Sequence, residues 1–498
     1  MKKLFIVLCL LASHSQAQQL FPLMQPDSMQ RELHILSGAM ASLHPGVFRY
    51  QSPTHFDAAV KLALAKSSKP LPENSYLILI AQLLTHLHCG HTYINYWNQP
   101  KAVSQVLFSK TYLPYLYRMV GREMIITHNL SSVSALRPGD KVMNINGIPV
   151  NRIVDSLLTV SPSDGLHGLA RKLDNISILP LDADTSNYNL SDIYFPLFFP
   201  RNFNTPLYRL ALQHYRSNQT YTATVGALSK KERLIAYKSR FGILPVHEQN
   251  WNLRLLKNST AILRIGDFET WEWKADYKKY LDSIFTLLKE RGVKKLVVDI
   301  RGNGGGDDEA RDKVFSYLTD KPFGCTDPMH RRIRFLTIPD TQLPYLKTWN
   351  RSFKEPKKPA DYVKYADGLY ENKADLQAAC QPIQPKAKHF TGQKFLLLDS
   401  RNASTTFTMA KLFRNEHIGP LVGEPTSGNQ QGINGGQFFF LNLPYSKIEA
   451  DIPLSWGAYL AKAPDTGIKP DKFIAVTRKS IASGHDTQLD EVIKMAGN

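Results

Sequence analysis

No apolar run reaches about eighteen residues, the length a membrane-spanning helix needs, and neither an internal repeat nor a low-complexity tract occurs in the 498 residues. These absences speak against a membrane-spanning, solenoid or largely disordered protein. Cysteine is scarce. Of the four, Cys9 lies in an apolar leader, which leaves Cys89, Cys325 and Cys380 and at least one unpaired thiol. Cys325 and Cys380 share one insert-like region and are the preferred pair, whose loop closure would contribute about 4 kcal/mol. Cys89 reads as a small buried residue. His86, His88, Cys89 and His91 cluster, but no carboxylate or second cysteine pair completes a zinc set at a recognisable spacing. The glycine-rich GNGGGDD lacks the Gly-Lys-Ser/Thr ending of a phosphate-binding loop and the order of a dinucleotide fingerprint. No metal, nucleotide or other cofactor is expected.

The apolar fraction of 43% suits a globular chain with a real core, long enough for two to four domains. Lys2 and Lys3, the apolar Leu4 to Ala12 and the small-x-small Ser15-Gln16-Ala17 make residues 1–17 a secretory signal. The expected location is therefore exported, periplasmic or extracellular. The net charge of +18 is spread along the chain. Such a charge favours anionic surfaces or acidic substrates over nucleic acid, which is not expected as a partner.

Residues 18–101 read as helical. Leu33, Leu36 and Met40 mark one face, Thr54 with Asp57 looks like a capping pair before Ala58 to Leu64, and Ser75 to Leu87 carries another apolar run. At its end, a single histidine of the His86, His88 and His91 cluster on the glycine-containing turn is either a general base reaching into a cleft or a histidine packed at a helix end. From 102 to 226 short strands are expected at Val106–Phe108, Met124–Thr127 and Lys141–Val150, with Pro-Gly and Asn-Gly turns. The stretch GDKVMNINGIPV resembles the PDZ module, although the customary carboxylate-binding loop is not evident. Residues 187–204, rich in aromatics, Asn and Pro, carry no clear element.

Residues 227–498 alternate as strand and helix. Strands are expected at Thr260–Gly266, Lys295–Arg301 and Phe395–Leu398, with helices at Tyr277–Arg291, Asp308–Leu318 and Ala403–Phe413, a pattern for a largely parallel sheet. The acids Asp307, Asp308 and Glu309 suit the first turn of a helix. A basic, aromatic insert at 321–390 reads as a lid or extension near the cleft. Two further strands and a terminal helix near Asp490–Met495 close the chain. Ser404 sits at the start of a helix after a sharp turn, where free amides and the helix dipole suit an oxyanion. Capping by Ser404 or Asn402 is the competing reading.

The stretches HCGHT, GDKVMNINGIPV, LVVDIRGNGGG, DSRNASTTF, GPLVGEPTSG and GIKPD, in this order, resemble the carboxy-terminal processing and tricorn-type serine peptidases. The resemblance covers the chain from about Gln25 onward. It implies an α/β core, a βαβ sheet of the crotonase or ClpP kind, with an N-terminal helical domain and a PDZ-like domain. Asn429 occupies the position of the lysine in the family's Ser-Lys branch. His91 matches the histidine of the tricorn-like branch. The resemblance thus implies Ser404 as nucleophile, His91 as general base, and oxyanion amides at Thr405 and at Gly305 or Gly306. Gly90 stands where that branch has a serine, and Asp465 is the nearest acid for the orienting role. Asp471 reads as structural.

The expectation is an exported serine endopeptidase acting on peptides or unfolded protein tails. A catalytically silent peptide-binding protein on the same scaffold is the alternative, and binding of anionic envelopes or nucleic acid through net charge is a third reading.

Overall fold

Five of the six strands beneath the Ser404 turn run parallel. The sheet order is Lys472–Phe473, Leu421–Gly423, Gln393–Leu398, Lys295–Asp299, Thr260–Ile265 and Trp251–Leu255, with only the last strand antiparallel to its neighbour. The computed structural model describes residues 21–242, 244, 250–378 and 380–497; the expected leader, with Cys9, lies outside the described residues. No helix among them is long and apolar enough to cross a membrane.

The central strands are continuous apolar runs because both faces are covered. Leu296 and Val298 point into a cluster with Leu281, Phe285 and Leu288 of the helix Tyr277–Glu290, whereas Val297 meets Val492 and Ala496 of the helix Thr487–Gly497 on the other side. Alternation of side chains along one strand thus holds two helical layers together.

A second six-stranded sheet is antiparallel. Its centre is the pair Gly432–Asn442 and Glu449–Ala458, and the insert contributes His330–Ile333, Leu346–Lys347, Tyr362–Lys364 and Tyr370–Asn372. The insert is therefore an extension built into a sheet, and a disulfide joins Cys325 to Cys380 within it. Cys89 is a buried free thiol, its pKa pushed up to about 12 by burial.

Three helices, Pro26–Leu43, Pro53–Lys66 and Glu73–Thr85, precede the third large sheet, made of Tyr115–Val120, Glu123–Asn129, Lys141–Ile145, Leu207–Gln213 and Thr220–Gly226 with the short strand Ile148–Pro149 at its side. The expected Asn-Gly turn is present, with Asn146 and Gly147 both at positive φ. These helices and this sheet bury their apolar faces in one continuous cluster that also takes in Phe439, Leu441 and Ile452 of the antiparallel pair. Two local expectations fail. Ser52, not Thr54, caps the second helix by accepting from the His55 amide, because Pro53 occupies the first helical position. Val106–Phe108 is not a strand: Lys101–Leu107 is helical and buries Val103 and Leu107, four residues apart on one face. The unassigned 187–204 stretch contains a buried helix, Leu190–Phe198. The whole is a mixed α/β fold with several sheets.

Candidate active site

The strand Gln393–Leu398 ends in a turn, and the helix Ser404–Asn415 begins at once. Ser404 itself adopts φ +51°, in the left-handed region that a residue other than glycine occupies only when its surroundings force it. Ala403 is the residue before the helix and offers no side-chain cap. Asn402 does not cap either. Its amide group donates to the carbonyls of Ile300 and Asn303, and its oxygen accepts from the Asp399 amide at 2.8 Å. The turn is therefore fastened to the glycine loop rather than closed on itself, which leaves the Ser404 hydroxyl without a hydrogen bond among the described residues.

The glycine loop is held from the same side. The Gly302 amide donates to Asp399, Asn303 accepts from the Thr406 hydroxyl at 2.6 Å, and the Thr405 hydroxyl donates to the Gly306 carbonyl at 2.7 Å. Gly305, at φ +123°, lies against the serine: a Cβ there would stand 2.8 Å from the Ser404 Cβ and 3.3 Å from the Thr405 nitrogen. The Gly305 amide is already taken by the Asn303 side chain at 2.9 Å. The amides of Gly306 and Thr405 have no partner among the described residues. Asp307 caps the helix Asp308–Ser316 by accepting from the Glu309 amide.

His91 comes from the other side of the cleft. It is delivered by the turn after Glu73–Thr85, and the following segment bridges to the antiparallel sheet at Ile94 and Ala450. Ser404 and His91 line one cavity of about 520 Å³, together with Trp271, Trp349 and Phe438. No lysine lines it. His91 Nδ1 is buried without a hydrogen-bond partner among the described residues. Burial lowers the His91 pKa; Asp164 opposes that shift and Arg171 adds to it. The ring is therefore neutral, and able to accept a proton, at neutral pH.

The structure does not bring Asp465 to His91. Asp465 accepts from the Tyr50 hydroxyl at 2.9 Å and from the Asn429 side chain, so Asn429, at the lysine position, is occupied in holding this acid. The carboxylate beside the His91 turn is Asp164, which accepts from the Gly90 amide at 2.9 Å. A Cβ on Gly90 would stand 2.8 Å from an Asp164 oxygen, a physical reason for glycine there. Gly165, at φ +73°, is wedged between this turn and Asn429. Nothing in the local sequence around Ser163-Asp164-Gly165 announces that partnership, since only the fold joins it to His91. Asp471 accepts from the Leu421 amide and from Arg414, a structural position at the edge of the sheet.

Residues 259–439 match the model of peptidase family S41, a stretch that holds the glycine loop, the insert and Ser404. No curated protein matches the chain. Among solved structures, mature CPAF complexed with lactacystin superposes with a TM-score of 0.63 at 13% identity, covering 95% of this chain and 98% of that one. Mature CPAF alone gives a TM-score of 0.62 at 13% identity, covering 95% and 97%. At that identity the likeness extends to the fold. The resemblance to the peptidase family is borne out by the S41 match, and the chain is a serine-type peptidase.

Proposed function

We propose that the chain is an exported serine endopeptidase of the tricorn-like Ser-His type, cleaving peptides or unfolded protein tails. The observation that carries this reading is the uncapped Ser404 at positive φ, its hydroxyl free, in one cavity with His91 and without a lysine. His91 takes the hydroxyl proton as Ser404 attacks the scissile carbonyl. The amides of Thr405 and Gly306 receive the oxyanion, with Gly305 serving as the close-packed floor beneath the serine. The protonated His91 gives its proton to the leaving amine, and water, activated the same way, releases the acyl group. Asp164 supports the imidazolium electrostatically; Asp465 keeps Asn429 and Tyr50 in place. Trp271 and Trp349, both exposed, offer apolar surface to a substrate side chain beside Ser404.

We assign 18–101 as the helical part that delivers His91, 102–226 as a PDZ-like domain and 227–498 as the peptidase core. A fluorophosphonate probe tests the chemistry. Labelling is expected for the unaltered chain and abolished by Ser404→Ala, with His91→Ala reducing its rate by at least about a thousandfold. Labelling that survives Ser404→Ala would remove the serine from its role. A folded chain that never labels would support the silent peptide-binding reading instead.

A further inference from the structure

Thr92, the residue after His91, is fully buried, and its hydroxyl meets a second histidine. His44 ends the helix Pro26–Leu43, and its Nε2 lies 2.9 Å from Thr92 Oγ1. On the other side of the same ring, the Gly46 amide donates to His44 Nδ1 at 3.0 Å. With Nδ1 accepting, the ring proton resides on Nε2, so His44 is the donor and Thr92 the acceptor. Burial, with the Arg334 cation adding to it, lowers the His44 pKa to about 3. A neutral ring of one tautomer therefore faces Thr92 at any working pH.

The His44 turn is itself held by the insert and by the antiparallel sheet. Arg334, just past the insert strand His330–Ile333, donates from Nε to the His44 carbonyl at 2.9 Å and from Nη2 to the Pro45 carbonyl at 3.4 Å. Asn434, in the strand Gly432–Asn442, packs so closely on Gly46 that a Cβ there would stand 2.7 Å from its side-chain nitrogen. Its neighbour Gly435 bounds the imidazole of His91, where a Cβ would lie 3.9 Å from Cε1 and 4.0 Å from Nε2. His91 Nδ1 is unpartnered among the described residues, so the placement of the ring depends on how the backbone beneath it is held.

We propose that His44 is a positioning residue for the reaction: through the Thr92 hydroxyl it fixes the turn from which His91 reaches Ser404. The proposal rests on the Ser404–His91 reading for what this positioning serves, but the contact itself can be observed without turnover.

Saturation kinetics of fluorophosphonate labelling separate probe binding, KI, from the reaction step, kinact. Thr92→Val removes the acceptor at nearly constant volume and is expected to lower kinact about tenfold while KI stays within about twofold. Thr92→Ser, which keeps the hydroxyl, should recover most of the rate. His44→Asn, whose amide is too short to reach Thr92, should match Thr92→Val, and His44→Gln, whose longer amide reaches it, should recover part. Thr92→Ala replaces Thr92→Val if that chain does not fold. An unchanged kinact in Thr92→Val, or Thr92→Ser as slow as Thr92→Val, overturns the proposal. So does a fall in thermal midpoint and labelled fraction with kinact intact, the mark of a role in stability alone. In the folded full chain carrying isotope-labelled histidine, ring nitrogen NMR should show the His44 proton on Nε2. The His91 ring signals, assigned with His91→Ala, should shift in Thr92→Val and return in Thr92→Ser. A His44 proton on Nδ1, or His91 signals indifferent to Thr92→Val, also overturns it. If the unaltered chain never labels, the Ser-His reading fails, and the ring signals alone judge His44.

Discussion

Around Ser404 the neighbouring polar side chains are all spent on backbone or on one another: Asn402 ties the turn to Ile300 and Asn303, Thr405 ties the helix to Gly306, and Asp399 receives the Gly302 amide. Around His91 the bonds belong to its neighbours. Gly90 is held by Asp164, and Asn95 by Asp451 with two contacts of 3.0 and 3.1 Å, while the imidazole keeps a buried Nδ1, unpartnered among the described residues. Ser404 is therefore positioned by a connected network on one sheet, and His91 by the docking of a remote segment. A hydrogen-bonded network resists displacement as a unit, whereas a docked segment shifts when any clamp along it loosens. Activity should be lost abruptly on the serine side and gradually on the histidine side.

Gly305→Ala should have the largest effect. The added Cβ meets the Ser404 Cβ at 2.8 Å in a backbone conformation that alanine resists, and neither side of the network can yield. Probe labelling should slow about a thousandfold, as for loss of an oxyanion donor. Gly90→Ala is the matching break across the cleft. Its Cβ displaces the Asp164 carboxylate, a flexible side-chain end, so a loss of about tenfold is expected. A Gly90→Ala loss as steep as that of Gly305→Ala would erase the contrast between the two sides.

The serine side was legible because its signals are local. An apolar strand, a polar turn and a periodic helix are contiguous from Phe395 to Phe413, and the βαβ alternation places the glycine loop on the adjacent strand. The choice between Gly305 and Gly306 as a free amide was not legible, for it depends on where the Asn303 side chain turns. His91 could be reached only through resemblance. The placement of Asp164 beside the His91 turn could not be reached at all, since Asp164 and Asp465 are distinguished by the packing of Gly165 and Tyr50, separated from one another by more of the chain than any periodicity spans. The same holds for Val106–Phe108, where tertiary burial of a short helix overrides a strand-like run.

Asp164→Asn sharpens the electrostatic side of the contrast. The carboxylate favours the imidazolium and so raises the His91 pKa against the larger lowering by burial. Removing the charge favours the neutral ring further. The acid limb of kcat/KM, already below that of an ordinary histidine, should move to still lower pH. The plateau should fall about tenfold because the imidazolium of the transition state loses its support. Ser404 neighbours carry no such charge on His91, so Asn303→Ala should lower the plateau without moving the limb.

The smallest effect concerns the clamp between Asn95 and Asp451, which holds the segment after His91 against the strand Glu449–Ala458. Burial raises the Asp451 pKa to about 8, against the lowering effect of the Asn95 hydrogen bonds. A carboxyl whose folded pKa lies above its unfolded value contributes stability that is complete below the unfolded pKa, near 4, and is lost as pH rises toward 8. The loss runs at roughly 1.4 kcal/mol per pH unit for a single group. Asp451→Asn removes that dependence, because the amide is neutral throughout. Its thermal midpoint relative to the unaltered chain should therefore climb by a few degrees between pH 5 and pH 8, whatever the absolute cost of placing an amide opposite the Asn95 donor. A difference that stays flat across that range would mean that Asp451 is ionised in the folded protein, and that the histidine side is clamped by a charge after all.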